Sequence, residues 1–357
     1  MCSNTKLVLI GDPHFANRKL FGRPTDKPGV NTRLQYTQQA LEWIARDIPA
    51  DIDHVCILGD ITHDHGRLTP PVLLAIQDML LEFAEHGHSV AMLGGNHDMD
   101  GYGLSIVSAF ESDSREVREV VTEPRQLYYS FPIPIHAIPY GLMSDALDYM
   151  AELTERCIVL MHHSFEGAKH GTHEFQPPGG IPPALIPDHI EVFSGHYHMR
   201  QKMNKHVEYT GAPLQHDFGE VNYTPGYVIL EIDSGSIRQQ FIEVPPEVAP
   251  RFHILPHNLE LGKIPGLPKR DYYRIDLPTD VDPKEITALR KKLTNVIVKT
   301  IPIDSDMRSR VEEHVKTLGK RVQFTDVMEA YVAMNAEEER ADRLNDLGLE
   351  LAEEALK

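Results

Sequence analysis

The sequence predicts an α/β fold, with a sheet of buried strands and helices on its faces. Three observations predict it. Short apolar runs rich in Val, Ile and Leu recur through the first 200 residues, each closed by glycine and polar residues. Bounded runs of this kind are what buried sheet strands look like. Helical patterns lie between them, and strands alternating with helices build layered sheets. Finally, Asp, Asn and His gather where the runs end, and open α/β sheets collect ligands at the carboxyl ends of their strands.

The elements follow in order. Lys6–Ile10 (KLVLI) leads to Gly11-Asp12-Pro13-His14, and Arg33–Arg46 reads as a helix. His54–Leu58 (HVCIL) leads to Gly59-Asp60-Ile61-Thr62-His63, and Pro71–His86 is again helical. Ser89–Leu93 (SVAML) leads to Gly94-Gly95-Asn96-His97-Asp98. A helical Ser144–Arg156 precedes Cys157–Met161 (CIVLM), which leads to His162-His163-Ser164. Ile190–Ser194 (IEVFS) leads to Gly195-His196-Tyr197-His198, and Lys205–Thr210 leads to Gly211-Ala212-Pro213-Leu214-Gln215. Tyr227–Asp233 and Ile237–Val244 alternate like hairpin strands that close a sheet. Loop preference explains the glycines and asparagine. It does not explain Asp or His at five strand ends.

The chain reads as a large domain over 1–245, a proline-rich join over 246–268, a small β-α-β unit over 269–324 and a tail over 325–357. In the small unit, Tyr272–Leu277 and Asn295–Ile303 are strand-like and Pro283–Leu293 is helical. The tail carries ten acidic against three basic residues, with Leu344, Leu347, Leu351 and Ala355 at helical spacing. No internal repeat stands out.

Composition narrows the class. Hydrophobic residues make up 41% of the 357 and charged residues 25%, an ordinary globular balance. No apolar run reaches the roughly 18 residues a membrane helix needs, and no targeting segment is evident at the N-terminus. Cys2, Cys56 and Cys157 lie far apart without a CxxC, which points to a reducing, cytoplasmic setting and away from a cysteine zinc site. The net charge of −18 disfavours binding nucleic acid through the whole surface, but not at a site where bound cations reverse the local field.

Gathered together, Asp12, His14, Asp60, Asn96, His162, His196 and His198 form a mixed oxygen and nitrogen donor set. Such a set suits Mn²⁺, Fe²⁺ or Zn²⁺ better than Mg²⁺ or Ca²⁺. Seven donors exceed one tetrahedral ion. They fit two metals about 3.5–4 Å apart that share a carboxylate, an arrangement suited to phosphoester hydrolysis. His162 and His163 are adjacent, and spacing alone does not say which imidazole points inward.

The ordered set D-x-H, G-D, G-N-H-D, H and G-H-x-H resembles the calcineurin-like metallophosphoesterases, over about residues 6–220. Within them it most resembles the SbcD-type DNA exonuclease subunits of bacteria and phages. The narrower likeness rests on His63 three residues after Asp60, on the segment Tyr209–Glu220, and on a small domain after a proline-rich join. The resemblance implies a β-sandwich flanked by helices, a small α+β capping domain and a C-terminal helical tail. It implies two Mn²⁺, with Mg²⁺ as a weaker substitute. Asp12, His14, Asp60 and His198 would hold one, and Asp60, Asn96, His162 and His196 the other; the family register favours His162 over His163. His97 would face the scissile phosphate and serve the leaving oxygen, Asp98 would orient it, and His63 would stand near the first metal.

The implied activity is 3′-to-5′ exonuclease action on duplex ends and endonuclease action on single strands or hairpins. The implied partners are DNA, an SbcC-type coiled-coil ATPase and a second copy of the chain. Bases beside the motifs are candidate phosphate contacts: Arg18, Lys19 and Arg23 after the first, and Arg200, Lys202 and Lys205 after the fifth. Arg290, Lys291 and Lys292 form a third cluster. The acidic tail is a candidate dock for the ATPase. His170, His173 and His216 are read as bystanders. The catalytic motifs alone also admit a hydrolase of cyclic nucleotides or other small phosphodiesters. A third reading is a non-catalytic scaffold that holds an ATPase on DNA ends.

Overall fold

Each apolar run becomes a strand, and the computed structural model describes residues 5–301 apart from 53, 112–116, 128–130, 172–175, 177–178, 256–267, 279–280 and 293–295. In chain order the first elements are β1 (Thr5–Ile10), α1 (Thr32–Asp47), β2 (His54–Ile57), α2 (Pro70–Glu85), β3 (Ser89–Leu93), β4 (Val117–Val121), β5 (Arg125–Gln126) and β6 (Ile135–Ile138). Next come α3 (Met143–Ala151), β7 (Cys157–His162), β8 (Ile190–Gly195), β9 (Gln201–Lys202) and β10 (Val207–Tyr209). The last are β11 (Gly226–Ile232), β12 (Ile237–Glu243), β13 (Phe252–Leu255), β14 (Tyr272–Pro278), α4 (Pro283–Lys292) and β15 (Val296–Ile301).

The strands form two six-stranded sheets, ordered β12-β11-β1-β2-β3-β4 and β5-β6-β7-β8-β10-β9. In the first, β1, β2, β3 and β4 run parallel, and β11 closes against β1 in antiparallel register with Val8 opposite Ile229. In the second, β6, β7, β8 and β10 run parallel. β13 and β14 pair separately, Phe252 opposite Tyr272.

Period-two alternation sends successive side chains to opposite faces. Leu7, Leu9, Cys56, Leu58, Ala91 and Leu93 meet Ile135, Ile158, Leu160 and Phe193 in a core between the sheets. Val8, Ile10, Val55, Ile57 and Met92 face the other way and pack on Leu41, Ile44, Met79 and Phe83 of α1 and α2. Val159, Met161 and Val192 of the second sheet pack with Ala146 and Met150 of α3. Strands buried on both faces must be apolar at every position, which is why they read as unbroken runs.

The apolar runs alone predict one sheet. The observed architecture is the two-sheet sandwich flanked by helices that the motif resemblance implies. β4, β5, β6, β9 and β13 have no counterpart among the predicted strands. β4 reads VREVV and β6 reads IHAI, each with polar residues inside a short stretch. α3 ends sooner than the predicted Ser144–Arg156. The amides of Glu152 and Leu153 bond three residues back, to Tyr149 and Met150, which tightens and closes the last turn.

The chain divides into two units, and the first comprises residues 1–275 and 293–297. The described part of the second holds α4. The predicted docking tail 325–357 and His173 lie outside the described residues. No helix among the described residues is long and apolar enough to cross a membrane.

Candidate metal centre

Asp12 and His14 follow β1, Asp60 follows β2, and Asn96 and His97 follow β3. From the second sheet, His162 ends β7, and His196 and His198 follow β8. Both sheets therefore deliver donors at their carboxyl ends. The backbone is bent sharply there. Asp12, His14, Asp60 and His196 all have left-handed φ, at 39°, 47°, 51° and 91°. Non-glycine residues in this region cost on the order of 1–3 kcal/mol each and persist only where their surroundings over-determine them. Here the loops brace one another: the His14 amide donates to Asp60 O at 2.9 Å and the Phe15 amide to Ile61 O at 2.7 Å. The glycine before Asn96 has its own reason. A Cβ on Gly95 would lie 2.2 Å from the Asp60 amide nitrogen and 2.3 Å from Asp60 Oδ1, so only hydrogen fits.

The seven donors meet in two sets joined by one carboxylate. Asp60 Oδ2 is 3.3 Å from His14 Nε2, and Asp60 Oδ1 is 3.4 Å from His162 Nε2. On the first side, His14 Nε2 faces His198 Nε2 at 3.0 Å, and Asp12, His14 and His198 place one donor atom each within 4.8 Å of one another. On the second side, Asn96 Oδ1 is 3.1 Å from His162 Nε2 and 2.9 Å from His196 Nδ1. His196 and His198, one residue apart, thus face different sets.

The residues fit divalent cations on several grounds. Asp12 Oδ2 is buried without a hydrogen-bond partner. His14 Nε2 and His198 Nε2 converge to 3.0 Å, close enough for one cation to take both once His198 gives up its proton. Burial raises the Asp12 carboxyl to about 6 against the opposing pull of His162 and His198. Burial works against a charge on His162 too, but Asp60 and Asp12 overcome it and hold that imidazole up at about 9. His198 is likewise held at about 9, burial being overcome by Glu220, Asp12 and Asp60. In the metal-free protein these two histidines keep their protons at pH 7 and must lose them to bind metal. Divalent-cation affinity should therefore fall as pH drops below about 9, with roughly two protons released per protein at pH 7. Calorimetric titration in buffers of different ionisation enthalpy reads that number; no proton release would contradict the arrangement.

Outer contacts set which nitrogen faces the centre. His162 Nδ1–H donates to Leu58 O at 2.6 Å, leaving Nε2 inward. His198 Nδ1–H donates to Glu220 Oε1 at 2.6 Å, leaving its Nε2 inward. The other Glu220 oxygen accepts the His216 amide at 2.7 Å. Buried Arg33 donates to His216 Nδ1 at 2.9 Å and to His216 O at 2.6 Å, so His216 Nε2–H turns to Asp12 O at 3.0 Å. This corrects the reading of His216 as a bystander: it is buried, its ring against those of His14 and His198. Glu220 and Arg33 carry no recognisable metal motif, and only the segment likeness around Gly211–Glu220 pointed toward Glu220. Partners that orient metal-binding histidines are worth about 10–100-fold in metal affinity. Glu220→Ala should lower Mn²⁺ affinity by that factor in calorimetry, with the circular dichroism spectrum unchanged.

Other predicted residues fall as follows. His97 Nδ1–H donates to His63 O at 2.9 Å, which leaves its Nε2 free, and its ring lies 4.8 Å from that of His14. Asp98 does not orient it. The Asp98 carboxylate is fully buried and accepts the amides of Ile61, Thr62 and Gly95 at 3.1, 2.8 and 2.9 Å. It ties the Asp60 loop to the Asn96 loop. His63 Nδ1 is 3.1 Å from His14 Nδ1, beside the first set. His163 turns away and donates from Nε2 to Pro139 O at 3.1 Å. Of the bases, Lys19 is exposed and Arg18 is paired with Asp64. Arg23 donates to the carbonyls of Lys269 and Arg270. Arg200 is held by Glu208 at 2.6 Å and lies over the Phe241 ring, so it is engaged within the fold.

The chain is similar to one family model and to several known proteins. The family model for calcineurin-like phosphoesterases matches residues 5–200. Protein 244L of Invertebrate iridescent virus 6, a phosphoesterase in name, is 25% identical over 228 residues, covering 61% of this chain and 73% of the viral one. Protein 078R of Invertebrate iridescent virus 3, similarly named, is 25% identical over 229 residues, 61% of this chain and 60% of its own. A dimetal phosphatase from Danio rerio aligns with TM-score 0.46 at 11% identity, over 68% of this chain and 96% of its own. The Pseudomonas putida nuclease MPE aligns with TM-score 0.28 at 16% identity, over 66% and 87%.

Proposed function

The chain belongs to the calcineurin-like phosphoesterases, which use two divalent metals, and we propose that it is a Mn²⁺-dependent DNA nuclease, the catalytic subunit of an SbcCD-type complex. The observation that carries the hydrolytic reading is the Asp60 carboxylate. Its two oxygens address two donor sets, and His97 Nε2 is left free beside them. Two divalent metals held by these residues would supply Lewis acidity and make an attacking water more acidic. The chain's own residues do the rest. Asp60, Asn96 and the buried histidines hold the centre in place, and Asp98 locks the two loops on which Asp60 and Asn96 sit. His97, its Nδ1–H held by His63 O, presents Nε2 to the leaving oxygen and, in its imidazolium form, passes the Nε2 proton to it and is left neutral.

DNA as the substrate is supported by the likeness of the ordered motifs, from Asp12 to Glu220, to the SbcD-type nucleases. Two divalent ions would bring about +4 to a mouth in a chain of net −18, and exposed Lys19 stands on the first loop as a phosphate contact, with Arg18 beside it if its pair with Asp64 opens. An ATPase partner that also binds DNA would supply the remaining cationic surface, with the acidic tail 325–357 as its dock and a second copy of the chain completing the assembly. The test is purified protein with Mn²⁺ on linear duplex DNA, with and without the ATPase. Shortened strands support the proposal. Hydrolysis of cyclic nucleotides with intact DNA would replace it with a small-molecule phosphodiesterase, and DNA-end binding without any hydrolysis with a scaffold.

A further inference from the structure

We propose that Tyr140 is a stacking platform for the nucleobase next to the scissile phosphate, on the side of the centre built by Asn96, His162 and His196. The inference rests on the phosphodiester reading above and names a subsite of that same centre. The Tyr140 ring lies nearly parallel to His196, centroids 6.2 Å apart and planes 24° apart, and to His163 at 5.9 Å and 27°. Those are offset-stacked arrangements. Tyr140 is 39% exposed, so part of the residue remains open to solvent beside the donors.

Its backbone is fixed from both sides. The Tyr140 amide donates to Gly94 O at 2.8 Å, and the preceding carbonyl, Pro139 O, accepts His163 Nε2–H at 3.1 Å. The adjacent histidines thereby divide the work: His162 enters the metal centre and His163 steadies the platform beside it. Exposed apolar side chains follow Tyr140 in the chain. Leu142 is 69% exposed and Met143 44%. The turn after Asp98 also exposes apolar side chains, Tyr102 at 98% and Leu104 at 65%. That turn is ordered, the amides of Tyr102 and Leu104 both donating to Asp100 Oδ1, and its Ser105 packs against Gly94. A phosphate alone has no use for an exposed aromatic side chain stacked on a donor histidine. A nucleotide does, because every base has a π-face and an aromatic ring binds it without regard to sequence.

Adenosine 5′-monophosphate and inorganic phosphate, titrated by calorimetry into the Mn²⁺-loaded full chain, separate base from phosphate. The wild type should bind the nucleotide more tightly than phosphate. Tyr140→Ala should weaken the nucleotide at least about fivefold, the lower end of what one stacked base contributes, and leave phosphate unchanged. Tyr140→Phe should keep the wild-type values. Equal weakening of both ligands would mean the ring only props His196 and would overturn the proposal, as would a wild type that does not distinguish them. A protein that cuts DNA while its nucleotide affinity ignores Tyr140 fails this inference alone. One that uses Tyr140 for the nucleotide but spares DNA fails only the DNA reading.

Discussion

His162→Ala is expected to lower kcat/KM for Mn²⁺-dependent hydrolysis of bis(p-nitrophenyl) phosphate by at least about 10³-fold, and His163→Ala to keep it within about tenfold. A lost ligand removes several kcal/mol of charge stabilisation, and each 1.36 kcal/mol is a factor of ten. Both side chains are buried, so burial cannot tell them apart. Their partners can. His162 Nε2 stands 3.1 Å from Asn96 Oδ1 and 3.4 Å from Asp60 Oδ1, while His163 Nε2 binds the carbonyl of Pro139. Burial and the nearby His162 charge also hold His163 neutral, at about 4. The reverse pattern of losses would transfer the metal assignment to His163.

His97→Ala is expected to lower kcat on a DNA phosphodiester by about 10²- to 10⁴-fold, the range for a positioned general acid. Burial lowers the pKa of this ring, which makes its protonated form a stronger acid. The effect should shrink on bis(p-nitrophenyl) phosphate, because a nitrophenolate departs without needing a proton. Mn²⁺ binding measured by calorimetry should not change, since His97 lies beside the donors and is not one of the seven. A variant that loses metal, or that loses equal activity on both substrates, would remove His97 from the role of acid.

The parts of the fold that could be read in advance share one physical property. β1, β2, β3, β7 and β8 are buried on both faces, so burial wrote itself into contiguous apolar letters. The donors that converge are legible for the same reason, lying within a few residues of the ends of such runs. β4 and β6 were not readable, because short strands that carry polar residues leave only a broken apolar pattern. The alternation of Val8 with Leu9 was visible, but which layer each side chain enters depends on a second sheet that pairs elsewhere in the sequence. Function shows the same divide. Asp60 and Asn96 announce themselves beside glycines that no Cβ could replace. Arg33 sits 183 positions from its His216 partner, inside an ordinary amphipathic helix. Asp98 follows His97 in sequence, yet its carboxylate accepts three backbone amides on two loops, a role that adjacency in the chain does not reveal. Tyr140 sits in a loop whose meaning depends wholly on Gly94 and His163.

The spread of the donors along the chain governs when the catalyst first exists. His14 and His198 lie 184 residues apart, and Glu220 follows 22 residues later. On a ribosome that adds about 5–20 residues each second, no nascent fragment ending before His198 can hold both donor sets, however well its first strands have folded. A member of a phosphoesterase family is born among the phosphate esters of messenger and ribosomal RNA. This one carries its own delay: the chemistry switches on only after most of the polypeptide has left the exit tunnel.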